Sequence, residues 1–158
     1  MLRSANLILA SAAVLAPMAH VLELPNKLTL DRPLWVAIQQ HLYRGWGPII
    51  GGPIQLAALA TALALLIIRR GRRETGLLTL AAAFAYCGMI VTFFIFNNPV
   101  NAAVNTWTPA TYPSDWEGYR TRWETGHALA ALLSVGALGA MLRAWLVERD
   151  GEVADRYR

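Results

Sequence analysis

Four apolar runs separated by polar connections predict four membrane-spanning helices. The first three occupy about residues 5–22, 49–68 and 76–96, and the fourth occupies about 115–147. The third run holds 21 residues without a charge, which suits the roughly 20 residues needed to cross a ~30 Å hydrocarbon core. The first run, which follows Met1-Leu2-Arg3, also fits a secretory signal peptide, and that alternative stays open.

Between the first two runs, the pattern changes to that of a short amphipathic helix. Asp31 is a suitable N-cap, and Pro33 suits the first helical turn. Apolar residues then recur at helical spacing until Gly45-Trp46-Gly47-Pro48 ends the pattern. We expect this helix to lie in the membrane interface, with an apolar side formed by Leu34, Trp35, Ile38 and Leu42.

Composition supports a single all-α membrane domain. Hydrophobic residues make up 56% of the chain and charged residues 15%, against about 25% charged in soluble domains. The predicted fold is a four-transmembrane-helix bundle over residues 1–147, with an interfacial helix between helices 1 and 2. Residues 148–158 are predicted to be a polar cytoplasmic tail. A single cysteine, Cys87, excludes an intrachain disulfide and a cysteine-rich metal site.

The distribution of basic residues predicts the orientation of the bundle. With the N-terminus inside, nine basic residues are cytoplasmic and five are outside, and four arginines crowd the short connection at 69–73. This bias places both termini in the cytoplasm, and we expect a bacterial cytoplasmic membrane. No basic stripe with interleaved aromatics is present, so the lipid bilayer is the expected partner and nucleic acid is not.

Polar and aromatic residues mark the start of the fourth helix. Ser114 and Glu117 form an S-x-x-E capping box. Four residues then fall at i, i+4, i+7 and i+11, which is one helix face. An imidazole, a guanidinium and two indoles therefore line up near the membrane surface, at Trp116, Arg120, Trp123 and His127.

Two His/Glu pairs raise the question of a metal. His20 and Glu23 are three residues apart, as are Glu124 and His127, and both pairs fall at the outer end of the predicted bundle. Facing pairs of this type build dimetal sites in helical bundles, and imidazole with carboxylate suits iron or copper. A metal at His20, Glu23, Glu124 and His127, a hydrogen-bonded site without metal, and a structural cap all remain open.

Tryptophans and asparagines add a candidate binding surface. Five of the six tryptophans fall on the predicted outer side, more than a symmetrical aromatic belt would place there. This excess fits a pocket for a flat apolar ligand. The predicted substrate-binding residues are Trp46, Trp107, Trp116 and Trp123, and asparagine amides follow the third helix at Asn98 and Asn101.

The run Asn98-Pro99-Val100-Asn101, followed by Trp107, Trp116, Trp123 and His127, resembles the anthrone-oxygenase-like family of small membrane proteins. Much of that family is a domain of unknown function. The resemblance implies a four-helix membrane bundle. It also implies oxygenation of polycyclic phenolic anthrones to quinones, without a tightly bound cofactor.

These observations predict a membrane-embedded oxidoreductase for a hydrophobic aromatic molecule. His127 or His20 would act as base, and Arg120, Asn98 or Asn101 would stabilise the developing phenolate. The cofactor is expected to be either none or a transition metal, iron or copper. The alternatives are an accessory subunit of a larger membrane complex and a metal- or haem-binding electron carrier. Homo-oligomerisation is also left open.

Overall fold

The computed structural model describes residues 1–68 and 73–156, and this part of the chain is helical without strands. Four helical stretches are long and apolar enough to cross a membrane. Most of the arginine cluster used above for orientation, Arg69, Arg70 and Arg72, lies outside the described residues. The α-helices are α1 (Leu2–Lys27), α2 (Arg32–Ala37), α3 (Gly52–Ile68), α4 (Arg73–Thr92), α5 (Asn98–Val104) and α6 (Trp116–Arg156), and π-helical turns occupy Ile38–Leu42, Gly47–Gly51 and Phe93–Asn97.

The four long helices pack as a square, which confirms the predicted all-α bundle. α6 packs against α1 and α4, and α3 packs against the same two helices. Small side chains let the helix backbones approach closely where lipid rather than water surrounds the bundle. The buried core consists mainly of alanines, with a few larger residues: Ala10, Ala13, Ala58, Ala62, Leu65, Ala82, Ala83, Tyr86, Met89, Ala130, Ala137 and Met141.

Large apolar side chains cover the outside of this bundle. Leu15, Phe84 and Leu132 are each about 70% exposed, at 71%, 69% and 72%. Water would make so large an apolar surface costly, whereas lipid accommodates it. The surface therefore agrees with the membrane-crossing lengths of the helices.

α1 is longer than its apolar run predicted. It ends at Lys27 rather than near residue 22, and it contains both Pro17 and Pro25. Helical hydrogen bonding persists past the second proline, since Leu28 N–H donates to Leu24 O at 3.0 Å. One further turn of helix therefore brings Glu23 and Lys27 onto the bundle.

α6 also extends beyond its predicted end. Residues 148–156, expected to be a polar tail, continue the helix to Arg156. Glu148 is buried there and forms an ion pair with Arg3 of α1. This contact ties the first turn of α1 to the last part of α6.

A second buried cluster closes the end of the bundle where α1 ends and α6 begins, which we call the site end. The predicted N-cap is confirmed, because Asp31 Oδ1 accepts a hydrogen bond from Leu34 N–H at 3.0 Å. Trp35 of α2 is fully buried, together with Val36, Val100, Val104 and Trp123. The predicted apolar side is therefore divided: Trp35 packs inward under α5, whereas Leu34 and Leu42 stay exposed.

Candidate functional site

A cavity of about 490 Å³ lies at the site end of the bundle. This volume falls within the roughly 300–1,000 Å³ typical of small-molecule sites. Two of its walls are the π-helical turns Gly47–Gly51 and Phe93–Asn97, and such turns interrupt helices frequently at functional sites. The other walls come from the five helices α1, α3, α4, α5 and α6 and from residues 43–46. The side chains that matter below are His20, Trp46, Phe93, Asn98, Trp123 and His127.

Two histidines from different helices meet in the wall of this cavity. The ring centroids of His20 on α1 and His127 on α6 are 4.0 Å apart. The indole of Trp123 lies against both, with centroid distances of 4.1 Å to His127 and 4.8 Å to His20. The three rings form one aromatic cluster, which holds both imidazoles at the cavity surface.

A buried lysine lies directly behind His20. Lys27 is 4% exposed, and its Nζ is 3.0 Å from Glu124 Oε2 and 3.4 Å from His20 Nδ1. Glu23 Oε2 is 3.7 Å from the same nitrogen. Buried charge is tolerated only when it is paired and hydrogen-bonded, and this ammonium meets that condition with groups from α1 and α6.

Tyr43 connects this network to the turn after α2. Its hydroxyl donates to Glu23 Oε2 at 2.6 Å. Its ring stacks on Trp123 with a centroid separation of 5.6 Å, and it also lines the cavity. Tyr43 therefore fixes one wall of the cavity to the ion network.

The geometry does not support a metal at His20, Glu23, Glu124 and His127, which was one of the three alternatives left open from the sequence. Over residues 1–68 and 73–156, no group of three or more His, Cys, Asp or Glu side chains is arranged to hold a metal ion. The cation among these groups is Lys27, whose ammonium contacts both carboxylates and His20 Nδ1. Its charge pairs with one oxygen of each of the two carboxylates that a metal would need, while Glu124 Oε1 is buried without a hydrogen-bond partner among the described residues.

Arg120 lies outside the cavity, contrary to its predicted role beside the substrate. Its guanidinium donates to the carbonyl oxygens of Lys27, Leu28 and Leu30 at 3.2–3.4 Å. The first two carbonyls belong to the end of α1 and its C-cap, where backbone acceptors lack helical partners, and the third lies in the connection that follows. Arg120 thus caps α1, a structural role that sequence spacing on α6 could not reveal.

The four predicted tryptophans divide into two pairs. Trp46 and Trp123 line the cavity. Trp116 instead packs near Trp35 and beneath Arg120, and Trp107 meets Tyr119 edge-on at 5.0 Å. The walls gain Phe93 and Phe94 from the π-helical turn after α4, which the sequence pattern did not single out.

The asparagines gather around Trp123. Asn98 and Asn101 line the cavity. Asn101 Oδ1 accepts from Trp123 Nε1–H at 2.8 Å, and Asn97 Nδ2 donates to Trp123 O at 2.9 Å. Trp123 is therefore held by the side-chain amides of Asn97 and Asn101, which are four residues apart in the chain. His41, the third histidine, is exposed and lies outside the cavity lining.

Besides Phe93 and Phe94, sequence reasoning missed two polar residues of the site, Lys27 and Tyr43. Lys27 follows His20 by seven residues and Glu23 by four, a spacing that places all three on one helix face. This spacing was not recognised, because the apolar run ends near residue 22 and the Leu24-Pro25 sequence suggested that the helix ended before Lys27. Tyr43 carried no comparable pattern, since it follows a π-helical turn.

Comparison with known proteins agrees with this architecture. The family model described as anthrone oxygenase matches residues 40–140. That segment contains Tyr43, Asn98, Trp123 and His127, whereas α1 with His20 and Lys27 precedes it. No curated protein and no solved structure matched the chain. Because the matched segment spans more than half of the chain, this protein belongs to the anthrone oxygenase family.

Proposed function

We propose that this protein is a membrane-embedded oxygenase-type oxidoreductase that converts a hydrophobic anthrone-like molecule to its quinone with dioxygen. The observation that carries the proposal is the pair of imidazoles, with ring centroids 4.0 Å apart, in the wall of a 490 Å³ cavity that is otherwise largely apolar. Membership of the anthrone oxygenase family supports the reaction class.

The reaction starts with removal of a proton from the central-ring methylene by a base. The resulting carbanion, delocalised onto the ring oxygen, gives one electron to dioxygen, and the radical pair joins through a new carbon–oxygen bond. Protonation gives a hydroperoxide. Loss of the second methylene proton forms the carbonyl as the oxygen–oxygen bond breaks, and the hydroxide released takes that proton. One anthrone and one dioxygen thus yield one quinone and one water.

His127 is the proposed base. Within the described part of the chain, its side chain makes no hydrogen bond, and its ring contacts are those with His20 and Trp123. An imidazole without a committed partner can accept a proton, provided that the acidic carbon reaches it. Placement in the cavity wall gives it that access.

His20 is the proposed donor to the developing oxyanion. His20 Nδ1 lies 3.4 Å from the Lys27 ammonium, which has only donors, and 3.4 Å from Glu23 Oε2, which as a carboxylate oxygen only accepts. In the proposed tautomer, Nδ1 accepts from the ammonium. The proton of the neutral ring then sits on Nε2, which becomes a hydrogen-bond donor. A fixed donor aimed at growing negative charge lowers the barrier without reorganisation, and Lys27 serves as the residue that positions it.

The remaining walls suit a flat, apolar substrate. Trp46, Trp123 and Phe93 offer ring faces, and the Asn98 amide offers a polar contact at the cavity surface. Aromatic packing and exclusion of water favour a delocalised carbanion over a hydrated one.

The test uses full-length protein in lipid nanodiscs, with anthrone and isotopically labelled dioxygen. We expect quinone formation above the uncatalysed rate, with one labelled oxygen per quinone and one in water. Nanodiscs with heat-denatured protein measure the background. Quinone formation no faster than that background, or quinone without the label, would contradict the proposal.

A further inference from the structure

A second pocket adjoins the aromatic cavity and differs from it in chemistry. Its volume is about 220 Å³. The two spaces are adjacent, because six residues line both of them: Tyr43, Gly47, Pro48, Phe93, Asn98 and Asn101. We call this second space the side pocket.

The side pocket is lined by amides and one positive charge. Gln39 and Asn105 join the shared asparagines, and Arg44 supplies a guanidinium. No acidic residue is among its lining residues. Arg44 is exposed and, within residues 1–68 and 73–156, forms no ion pair, so its charge is not neutralised by the protein.

One lining amide is also incompletely satisfied. Gln39 is 6% exposed, and its Nε2 has no hydrogen-bond partner among the described residues. A buried donor without an acceptor costs free energy. A ligand oxygen, or a water that accompanies it, would remove that cost.

We propose that the side pocket binds an anionic oxygen substituent, a carboxylate in the first instance, carried by the aromatic molecule in the main cavity. The guanidinium of Arg44 provides charge-assisted donors, and the amides complete a polar surround. The substrate class of the proposed oxygenase, on which this inference rests, is then an amphiphilic polycycle rather than a plain hydrocarbon ketone. Its rings occupy the aromatic cavity, and its acid group points into the side pocket.

The experiment measures binding and therefore does not depend on turnover. Full-length protein in nanodiscs is titrated with anthraquinone-2-carboxylate and with anthraquinone-2-carboxamide, which match in size but differ in charge. For each protein the ratio of the two Kd values is taken. Partition into lipid enters both the wild-type and the variant ratio equally, so comparing the ratios removes it.

We expect Arg44→Gln to reduce the preference for the carboxylate by about tenfold, the usual scale for one charge-assisted contact. Arg44→Lys should retain most of the preference. Arg122→Gln is the matched control, because Arg122 lies at the same end but donates to Ile95 O and lines neither space.

An unchanged ratio in Arg44→Gln, or an equal loss in Arg122→Gln, would overturn the side-pocket proposal. Anthrone turnover with no carboxylate preference would overturn the side-pocket proposal and leave the proposed oxygenase activity standing. A carboxylate preference that depends on Arg44, without anthrone turnover, would support the side-pocket proposal and contradict the proposed oxygenase activity.

Discussion

Lys27 Nζ lies 3.0 Å from Glu124 Oε2 and joins the last residue of α1 to the third turn of α6. The two residues are 97 positions apart, and both side chains are nearly inaccessible, at 5% and 8% exposure. The same ammonium contacts His20 Nδ1. One buried ion pair therefore links the closure of the bundle to the orientation of an imidazole in the cavity wall.

Breaking this pair from one side should destabilise the protein strongly. Lys27→Met leaves Glu124 buried without its cation, which costs about 3–5 kcal/mol in comparable cases. The measurement is thermal unfolding in detergent. The double variant Lys27→Met with Glu124→Gln should recover much of the loss, because no buried charge is then left unpaired. Glu23 also loses its cation, but its side chain is 45% exposed and keeps the hydrogen bond from Tyr43. Full stability of the single variant would show that the pair contributes little.

Removing the proposed base should abolish chemistry but not binding. His127→Phe keeps a ring against His20 and Trp123, and we expect kcat for anthrone to fall by about 10²–10⁴-fold. The Kd of anthraquinone should stay within about twofold, since ring packing is retained. His41→Phe is the control, because His41 is exposed and remote from the cavity lining. Equal kcat in the His127 variant and wild type would exclude that role.

Gly126 should tolerate no side chain. An ideal Cβ there would collide with Asn97 Oδ1 and lie 2.7 Å from Phe96 Cβ. Gly126→Ala should therefore lower stability by roughly 1–3 kcal/mol, the usual cost of overpacking. It should also displace the Asn97 amide from Trp123 O.

The control for that substitution lies further along the same helix. A Cβ at Gly136 meets nothing within 4 Å in the described part of the chain. Gly136→Ala should be neutral or stabilise α6 by up to about 1 kcal/mol, because alanine favours helix. Unfolding midpoints of both variants in one detergent make the comparison. Similar effects at the two glycines would contradict the close approach at Gly126.

Bound anthraquinone should quench the fluorescence of the tryptophans that line the cavity and not that of a tryptophan far from it. Trp46 lines the cavity, whereas Trp145 is 22 residues beyond Trp123 on α6, or about 33 Å along the helix. Trp46→Phe should remove part of the emission that bound anthraquinone quenches. Trp145→Phe should lower total emission and leave the quenched part unchanged. Quenching that depends on Trp145 would place the ligand at the other end of the bundle.

The local sequence pattern by itself determined the number of long helices and several residues of the site. Four apolar runs long enough to cross a bilayer specify the helices, because hydropathy and helix length are properties of contiguous segments. The spacing of Trp123 and His127 correctly placed both on one inward face of α6, and Asp31 was identified as a cap by its chemistry. The resemblance to the anthrone oxygenase family also rested on short motifs in α5, in α6 and in the connection between them.

Tertiary structure decided which polar groups meet. Periodicity shows the inward side of a helix but not its rotation or depth relative to a distant partner, so it could not pair Lys27 with Glu124. Arg120 occupies the same face as His127 in sequence, yet it reaches the carbonyl oxygens at the end of α1 instead of the cavity. A metal, one of the alternatives left open at the two His/Glu pairs, would pair with the same carboxylates as the Lys27 ammonium found there. Only the packing of α1 against α6, which brings together residues about a hundred positions apart, distinguishes between them.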